Sequence, residues 1–488
     1  MTNAAVAKDW DITGLTCDSR QVEPGFLFAA IPGAVADGRA FIADALERGA
    51  VAVLAPPGTD LGRSAIGVPL VTDDNPRRRY ALMAARFHSP QPTLVAAVTG
   101  TNGKTSVATF LRQIWVRLGQ PAASAGTLGL VVDGFAPGPT PEIKSTINLT
   151  TPDPVDLHKC LAELAANGVE NLILEASSHG LVQSRLDGVR ISAAAFTNLT
   201  RDHLDYHGDM TTYLAAKRRL FTDLLIDGGA AVINADALYA EVFQADARGR
   251  GLPVFSYGIS GEQVRLIATE TAADGQRLTL EVLGQSHLVD LPLVGRFQAE
   301  NALCALTLAI ATGADPVQAT ECLNHLIGAP GRVELVVRRA DGAPIYVDYA
   351  HTPDALASVL KALRPHVTGR LHVVFGCGGE RDPGKRPEMG EAAARNADVV
   401  IVTDDNPRRE DPAEIRAQAK TGCPEATEIG DRARAIETAV AGLDADDLLV
   451  VAGKGHETGQ DIGGEILPFN DADTVRRAVR EYVRECRK

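Results

Sequence analysis

The sequence predicts an α/β protein of several domains, and three observations carry that prediction. Short apolar runs alternate with helix-like segments, the pattern of a mostly parallel sheet. Many of those runs end in loops rich in Gly, Asp, His and Thr, the edge at which α/β sheets hold their ligands. Breakpoints at Pro90 and Pro92 and at Ala329-Pro330-Gly331 divide a chain of 488 residues, a length that suits about three domains of ~150 residues. The expected domains are residues 1–90, 91–329 and 330–488.

Composition narrows the class. Hydrophobic residues make up 45% of the chain, enough for several cores. A formal net charge of −14 argues against nucleic acid as a partner, so an anion site must gather its Lys and Arg locally. The seven cysteines contain no C-x-x-C pair and read as reduced, mostly buried thiols. There is no basic-then-apolar start and no apolar run near ~20 residues. The expectation is a cytoplasmic protein with no signal peptide and no membrane contact.

The first domain reads as short strands, turns and a helix over Phe41 to Arg48. Ser19 and the loop Ala34 to Gly38 suit either a polar ligand or ordinary turns. Val71 to Arg78 reads VTDDNPRR, and the same eight residues recur at Val402 to Arg409. The first copy precedes a helix expected over Tyr80 to His88, and its arginines read as a solvated helix start.

The second domain opens on Val95 to Ser106, VAAVTGTNGKTS. A buried strand runs into a turn holding Gly100, Asn102 and Gly103, then a helix over Val107 to Leu118. Glycines let backbone N–H groups face an anion, and the new helix points its positive end there. Lys104 would reach outer phosphates and Thr105 would offer a hydroxyl to Mg²⁺. Val98 stands where the common phosphate-loop spacing has glycine, which leaves a tight turn with a surface lysine as the alternative. A helix over Pro154 to Asn167 precedes the strand Asn171 to Ala176. Glu175 at its carboxyl end is placed for Mg²⁺ near Thr105, and the polar Ser177, Ser178, His179 and Gly180 follow. A strand over Ala193 to Thr197 leads into Asn198 to Gly208, where Asp202, Asp205 and His207 crowd His203. That histidine suits a second divalent ion, a phosphate or a structural role. Lys217, on a helix over Thr211 to Phe221 with Arg218 and Arg219, reads by spacing alone as part of a basic face. Leu266 to Val294 alternates apolar and polar residues like a β-ribbon, and Gly295-Arg296-Phe297 leads into a helix carrying Asn301.

In the third domain four apolar strands each end in a polar loop. Ile345 to Asp348 runs into Tyr349 to Asp354, and Leu371 to Phe375 into Gly376 to Asp382. Val399 to Val402 runs into Asp404 to Arg408, and Leu448 to Val451 into Gly453 to Glu457. In a parallel sheet these four loops share one edge, and that edge is a ligand site.

The motifs TGTNGKT, EASSHGLVQSRLDG, NLTRDHLDYHG, GRVE, DYAHTPD, GGERDPGKRP, DNPR and GKGHE, in that order over the whole chain, resemble the Mur ligases of peptidoglycan synthesis. The resemblance implies a small N-terminal α/β domain that binds a UDP-sugar, a central P-loop-type domain with a mostly parallel sheet that binds ATP, and a Rossmann-like C-terminal domain that binds an amino acid. It implies phosphorylation of a substrate carboxylate by ATP, then attack by an amine. Gly100, Thr101, Asn102, Gly103, Lys104, Thr105 and Ser106 would cradle ATP, with further contacts from Asn301, Arg332, Asp348 and His351. Thr105, Glu175, His203 and a carbamate formed from CO₂ on Lys217 would hold Mg²⁺. Lys104, Glu175, His203 and Lys217 would be catalytic. Ser19, Thr150, Thr151, Ser177, Gln183 and Arg185 match contacts to UDP-N-acetylmuramoyl-L-Ala-D-Glu. Asp405, Asn406, Pro407 and Arg408, with Arg381, Gly453 and Glu457, match members that add meso-diaminopimelate. There Arg408 would fork onto the far carboxylate, which lysine lacks, and Glu457 would take the distal ammonium.

Leu149, where some members have asparagine, the insertion Asp133 to Pro141 and the loosely matching Ala34, Val35 and Ala36 depart from the family pattern. Asp74 to Arg77 falls in the wrong domain for the DNPR role and reads as a decoy. A folylpolyglutamate synthase-like ligase would share the ATP core, but the first domain and the second DNPR argue against it. An L-lysine-adding ligase and a binding module without catalysis are the other readings. The expected state is a monomer.

Overall fold

A computed structural model describes residues 11–33, 36–62, 67–135, 138, 140–145, 147, 149–272 and 275–485. Ala34, Val35, Cys486 and part of the Asp133 to Pro141 insertion lie outside the described residues. The chain divides into two compact units. One comprises Met1–Lys104, Trp115–Ile233 and Ala237–Val254, and the other Thr105–Ile114, Asn234–Asp236 and Phe255–Lys488.

The first unit begins with a four-stranded parallel sheet in chain order: Gly14–Thr16, Phe26–Ala29, Ala52–Ala55 and Leu70–Thr72. FLFA and AVLA are buried on both faces, as parallel strands must be. Phe28, Val53 and Ala55 pack on one side and Leu27, Ala29 and Leu54 on the other. The expected helix over Phe41 to Arg48 is a 3₁₀ turn, Gly38–Phe41, followed by the α-helix Ile42–Glu47. Asp37 starts the turn early by accepting from Arg39 N. The next helix spans Pro76–Phe87, starting before the expected Tyr80 because Asn75 caps it and Pro76 occupies the first turn.

Six further strands of this unit run in the order Leu225–Asn234, Ile191–Phe196, Leu94–Thr99, Asn171–Glu175, Ala122–Gly126 and Gly129–Asp133, parallel except for the last. Leu94–Thr99 sits between the strand ending at Glu175 and the strand ending at Phe196. The chain leaves it toward one side and later returns on the other, which makes its carboxyl end a topological switch point. The helix after it starts at Lys104, three residues before the expected Val107, and spans Lys104–Arg117. The Met210–Arg219 helix passes into a π-helical stretch, Leu220–Leu224.

The second unit holds the expected antiparallel ribbon as Val264–Ala272, Gly275–Val282 and Gln285–Leu291. The Arg296–Ala311 helix follows and is almost wholly buried. A six-stranded sheet has the order Glu334–Arg338, Pro344–Asp348, Leu448–Ala452, Leu371–Phe375, Val399–Val402 and Thr427–Glu428, parallel but for its first pair. Alternate residues face opposite cores: Ile345, Val347, Leu449 and Val451 on one side, Tyr346, Val373, Phe375 and Val450 on the other. The four polar loops of this sheet therefore leave from one edge.

Candidate active site

Gly100 shows why the loop after Leu94–Thr99 has its sequence. Its φ is +153°, and a Cβ there would stand 1.9 Å from Thr197 Oγ1. Thr197 uses that hydroxyl to donate to Asn102 O at 2.7 Å. Asn198 completes the bracket, accepting from Thr101 N at 2.9 Å through its carbonyl and from Asn102 N at 3.0 Å through Oδ1. Lys104 Nζ folds back onto Gly100 O and Thr101 O, both at 2.9 Å. Thr105 and Ser106 are buried on the first helical turn.

A second ammonium reaches the same carbonyl. Lys217 Nζ donates to Gly100 O at 2.8 Å and lies 4.5 Å from the centre of the Tyr213 ring. Lys217 is 1% exposed, so it is not part of a solvated basic face. Burial, and then the charge of Lys104, push its pKa well below the usual lysine range, partly opposed by Asp202. Burial beside a phosphate-type loop therefore favours the uncharged amine, the form that can act as a nucleophile.

Glu175, at a strand end, is 3% exposed. Its Oε1 accepts from Thr127 N at 2.8 Å and its Oε2 from Thr127 Oγ1 at 3.2 Å. Gly126 leaves room for it, since a Cβ there would meet Oε1 at 2.2 Å. Thr127 Oγ1 lies 3.2 Å from Thr150 Oγ1. Thr151 Oγ1 donates to Glu175 O at 2.8 Å and accepts from Ser177 N at 3.0 Å. Ser177 Oγ caps the short Ser178–Val182 helix through Gly180 N. Arg185 donates to Thr151 O at 2.6 Å and to Gln183 Oε1 at 2.8 Å. Thr150, Thr151, Glu175, Ser177, Gln183 and Arg185 thus form one connected network, with Thr127 as a member that sequence reasoning missed.

His203 has φ +53° and lies beside Asp202, Nε2 to Oδ2 3.5 Å. Its ring is 5.1 Å from His179 and 6.2 Å from Tyr213, so Tyr213 faces both His203 and Lys217. His207 has a structural task, its Nε2 being 2.9 Å from Ser178 Oγ. Among the described residues no three His, Cys, Asp or Glu side chains gather as a metal-ligating group. Ser19 is buried in the region of the four-stranded sheet and bonds Asp44. Nearby, Tyr80 OH and Cys17 Sγ both reach Asp153, at 3.2 and 3.5 Å, beside Thr151.

In the second unit Asn301 Nδ2 donates to Gln298 Oε1 at 3.2 Å, and Gln298 donates to Arg332 O at 3.0 Å. Arg332 lies 4.6 Å over the Tyr349 ring, and its buried Nε has no hydrogen-bond partner among the described residues. Such an orphan donor suits an anion. Asp348 accepts from Val333 N and Ala350 N, both at 2.7 Å; burial raises its carboxyl, and Arg332 opposes that rise. His351 Nδ1 sits 2.8 Å from Tyr349 O.

The second DNPR stretch is tightly held. Asn406 Oδ1 accepts from Lys454 Nζ at 2.8 Å, and Asn406 Nδ2 donates to Glu457 Oε2 at 3.0 Å. Lys454 is fully buried and also bonds Glu457 Oε2 at 2.8 Å. Glu457 therefore already carries an internal cation, which the sequence did not announce. Gly453 has φ +115°, and a Cβ there would meet Asp405 Oδ2 at 2.6 Å. Arg408 Nη1 donates to Gly379 O at 2.5 Å. Arg381 is exposed on the neighbouring loop.

The first copy does other work. Asn75 caps its helix, Arg77 donates to Pro32 O at 2.6 Å and Arg78 to Asp187 Oδ1 at 3.1 Å. These arginines tether the helix to neighbouring chain rather than simply solvating its start. No described helix is long and apolar enough to cross a membrane.

Comparison with known proteins agrees with this geometry. Three family models match in succession: "Mur ligase family, catalytic domain" over residues 11–91, "Mur ligase middle domain" over 98–309, and "Mur ligase, glutamate ligase domain" over 331–455. A protein of Chelativorans sp. (strain BNC1), named UDP-N-acetylmuramoyl-L-alanyl-D-glutamate--2,6-diaminopimelate ligase, is 53% identical over 479 residues, 98% of this chain and 97% of that relative. A solved structure of an enzyme of the same name matches with TM-score 0.70 at 37% identity, covering 96% of this chain and 94% of its own. The Mycobacterium tuberculosis folylpolyglutamate synthase complexed with ADP and AMPPCP shares the fold at TM-score 0.61 and 22% identity, over 77% of this chain and 92% of its own. With its three models in order and a relative matched end to end, the chain belongs to the Mur ligase family.

Proposed function

We propose that this chain is a cytoplasmic, monomeric ligase that uses ATP to join meso-2,6-diaminopimelate to UDP-N-acetylmuramoyl-L-alanyl-D-glutamate in peptidoglycan synthesis. Residues 1–90, 91–329 and 330–488 serve the UDP-sugar, ATP and the amino acid. The observation that carries the reading is the buried Lys217 on the carbonyl of Gly100, which it shares with Lys104.

The phosphoryl group passes from ATP to the glutamate carboxylate, giving ADP and an acyl phosphate. The free amine of diaminopimelate attacks the acyl carbon. The C–O bond breaks, phosphate leaves with the electron pair, and the nitrogen loses a proton to become an amide. Residues Gly100 to Ser106 offer backbone N–H groups and a helix N-terminus to the nucleotide phosphates. Lys104 moves from its loop carbonyls onto the phosphate oxygens. Lys217 Nζ loses its ammonium proton, bonds the carbon of CO₂ and releases a second proton, which turns a buried cation into an anionic oxygen ligand. Thr105, Glu175, His203 and the Lys217 carbamate would hold Mg²⁺, which when bound offsets the repulsion between carboxylate and phosphoryl oxygens. Asn301, Arg332, Asp348 and His351 hold the nucleotide, and the orphan Nε of Arg332 supports an anion there. Ser19, Thr150, Thr151, Ser177, Gln183 and Arg185 bind the nucleotide-sugar peptide. Asp405 to Arg408, with Arg381, Gly453 and Glu457, bind diaminopimelate.

Phosphate release with ATP, Mg²⁺ and the UDP-linked dipeptide tests this reading, comparing meso-diaminopimelate with L-lysine. Release with diaminopimelate alone is the expected result. Release with lysine replaces the amino acid, and release with neither overturns the function. Lys217→Ala should lower the rate by about 10³-fold or more, with partial recovery on adding short carboxylates; full activity removes the carbamate from the mechanism.

A further inference from the structure

We propose that the hairpin of Gly459–Ile462 and Glu465–Pro468 sets the amino-acid specificity of the ligase, with Gln460 as the positioning residue that ties the Asp405 to Arg408 loop to it. The inference rests on the function proposed above and adds residues that touch no substrate.

Arg408 is the starting point. Its φ of +53° is a left-handed conformation that a long side chain adopts only when its surroundings impose it. The hairpin imposes it. Arg408 N donates to Asp461 O at 2.9 Å, and Arg408 O accepts from Gly463 N at 2.6 Å. Arg408 and Ile462 form a parallel β-bridge. The same strand also grips the residues before Arg408: Asp461 N donates to Asn406 Oδ1 at 3.0 Å, and Gln460 Nε2 donates to Asp405 O at 2.7 Å. Gln460 is buried, so its amide has given up water to make that bond. Three of the four residues Asp405 to Arg408 thus hang on one hairpin.

The consequence reaches the guanidinium. Arg408 Nη1 rests on Gly379 O, and Gly379 N donates to Asn406 O at 2.9 Å. With one donor held on a carbonyl, the guanidinium is restrained beside the loop before a carboxylate arrives, and its other N–H groups remain for that carboxylate. Diaminopimelate brings that second carboxylate and lysine does not. Loosening the hairpin should therefore weaken diaminopimelate selectively and leave ATP and the UDP-linked dipeptide untouched.

The test uses the full-length protein with Gln460→Ala and with Gln460→Met, which keeps the volume and removes only the amide donor. Phosphate release is followed against diaminopimelate, ATP and dipeptide in turn, with L-lysine as the second acceptor. We expect KM for diaminopimelate to rise about tenfold, with KM for ATP and dipeptide unchanged and still no release with lysine. If the Ala variant does not fold, the Met variant decides. A diaminopimelate KM within about twofold of wild type, or an equal rise in KM for ATP, overturns the hairpin's role while wild-type turnover leaves the function standing. A wild-type protein that releases no phosphate with diaminopimelate overturns both.

Discussion

Val71 to Arg78 and Val402 to Arg409 are the same eight residues and take different paths. In the first, Asn75 has φ −122°, Pro76 takes the first turn, and the arginines enter the Pro76–Phe87 helix. In the second, Asn406-Pro407 starts no helix and Arg408 turns left-handed. The helix waits until Pro412, capped by Asp411. The asparagine shows the divergence most directly. Asn75 accepts from a backbone N–H of its own helix, whereas Asn406 joins Lys454, Asp461 and Glu457. The residues downstream of each copy decide between the two. Tyr80, Ala81 and Ala84 give the first an apolar helical face to bury, while Glu410 and Asp411 give the second none, and a strand edge is ready to pair with Arg408. Local sequence proposes a conformation and tertiary context selects it.

The largest break in that comparison is Arg408→Ala. Removing the fork should raise KM for diaminopimelate about 100-fold, corresponding to the ~2–3 kcal/mol of a charge-assisted pair, with KM for ATP nearly unchanged. Arg77→Ala, at the matching position of the first copy, loses one bond to Pro32 O and should leave every KM alone. Steady-state kinetics on the two variants checks both, and a diaminopimelate defect in Arg77→Ala would show that the first copy is no decoy. Next comes Asp187, the anchor of the first copy. It is 2% exposed; Arg219 Nη2 holds both its oxygens at 2.7 Å, and Arg78 adds the third contact. Asp187→Ala leaves Arg219 with only Leu181 O and the more exposed Asp223, and should cost about 2–3 kcal/mol of stability. Arg78→Ala, whose side chain is 58% exposed, should cost less than ~1 kcal/mol. Urea midpoints with unchanged slopes measure the pair, and equal costs would mean that Arg219 does not carry the anchor.

How far the sequence revealed the molecule depends on the same distinction. Strands such as Asn171–Glu175 and Leu371–Phe375 were legible because buried parallel strands are unbroken apolar runs stopped by polar loops. Gly100, Lys104 and Glu175 were legible because they sit where such runs stop. Thr127, Tyr213, Asn198 and Lys454 were not, because each acts through its partners rather than its neighbours. Thr127 reaches Glu175 across 48 residues and Lys217 reaches Gly100 across 117. The burial that lowers the Lys217 pKa is likewise invisible in Ala-Ala-Lys-Arg-Arg, which spacing reads as a wet basic face. The left-handed turns at His203 and Arg408 carry no glycine to announce them.

The smallest expected effect separates the two asparagines. Asn75→Ala removes one capping bond, Oδ1 to Arg78 N at 3.0 Å, on a helix that also has Pro76 in its first turn and a buried face through Tyr80 and Ala84. The cost should be about 1 kcal/mol, seen as a lowered urea midpoint with kcat and every KM unchanged. Asn406→Ala, the same change at the matching position, leaves the buried Lys454 and Glu457 without their shared amide, so its effect should fall on KM for diaminopimelate. The reverse result, with Asn75 altering KM and Asn406 altering only stability, would mean that the two copies had been given each other's work.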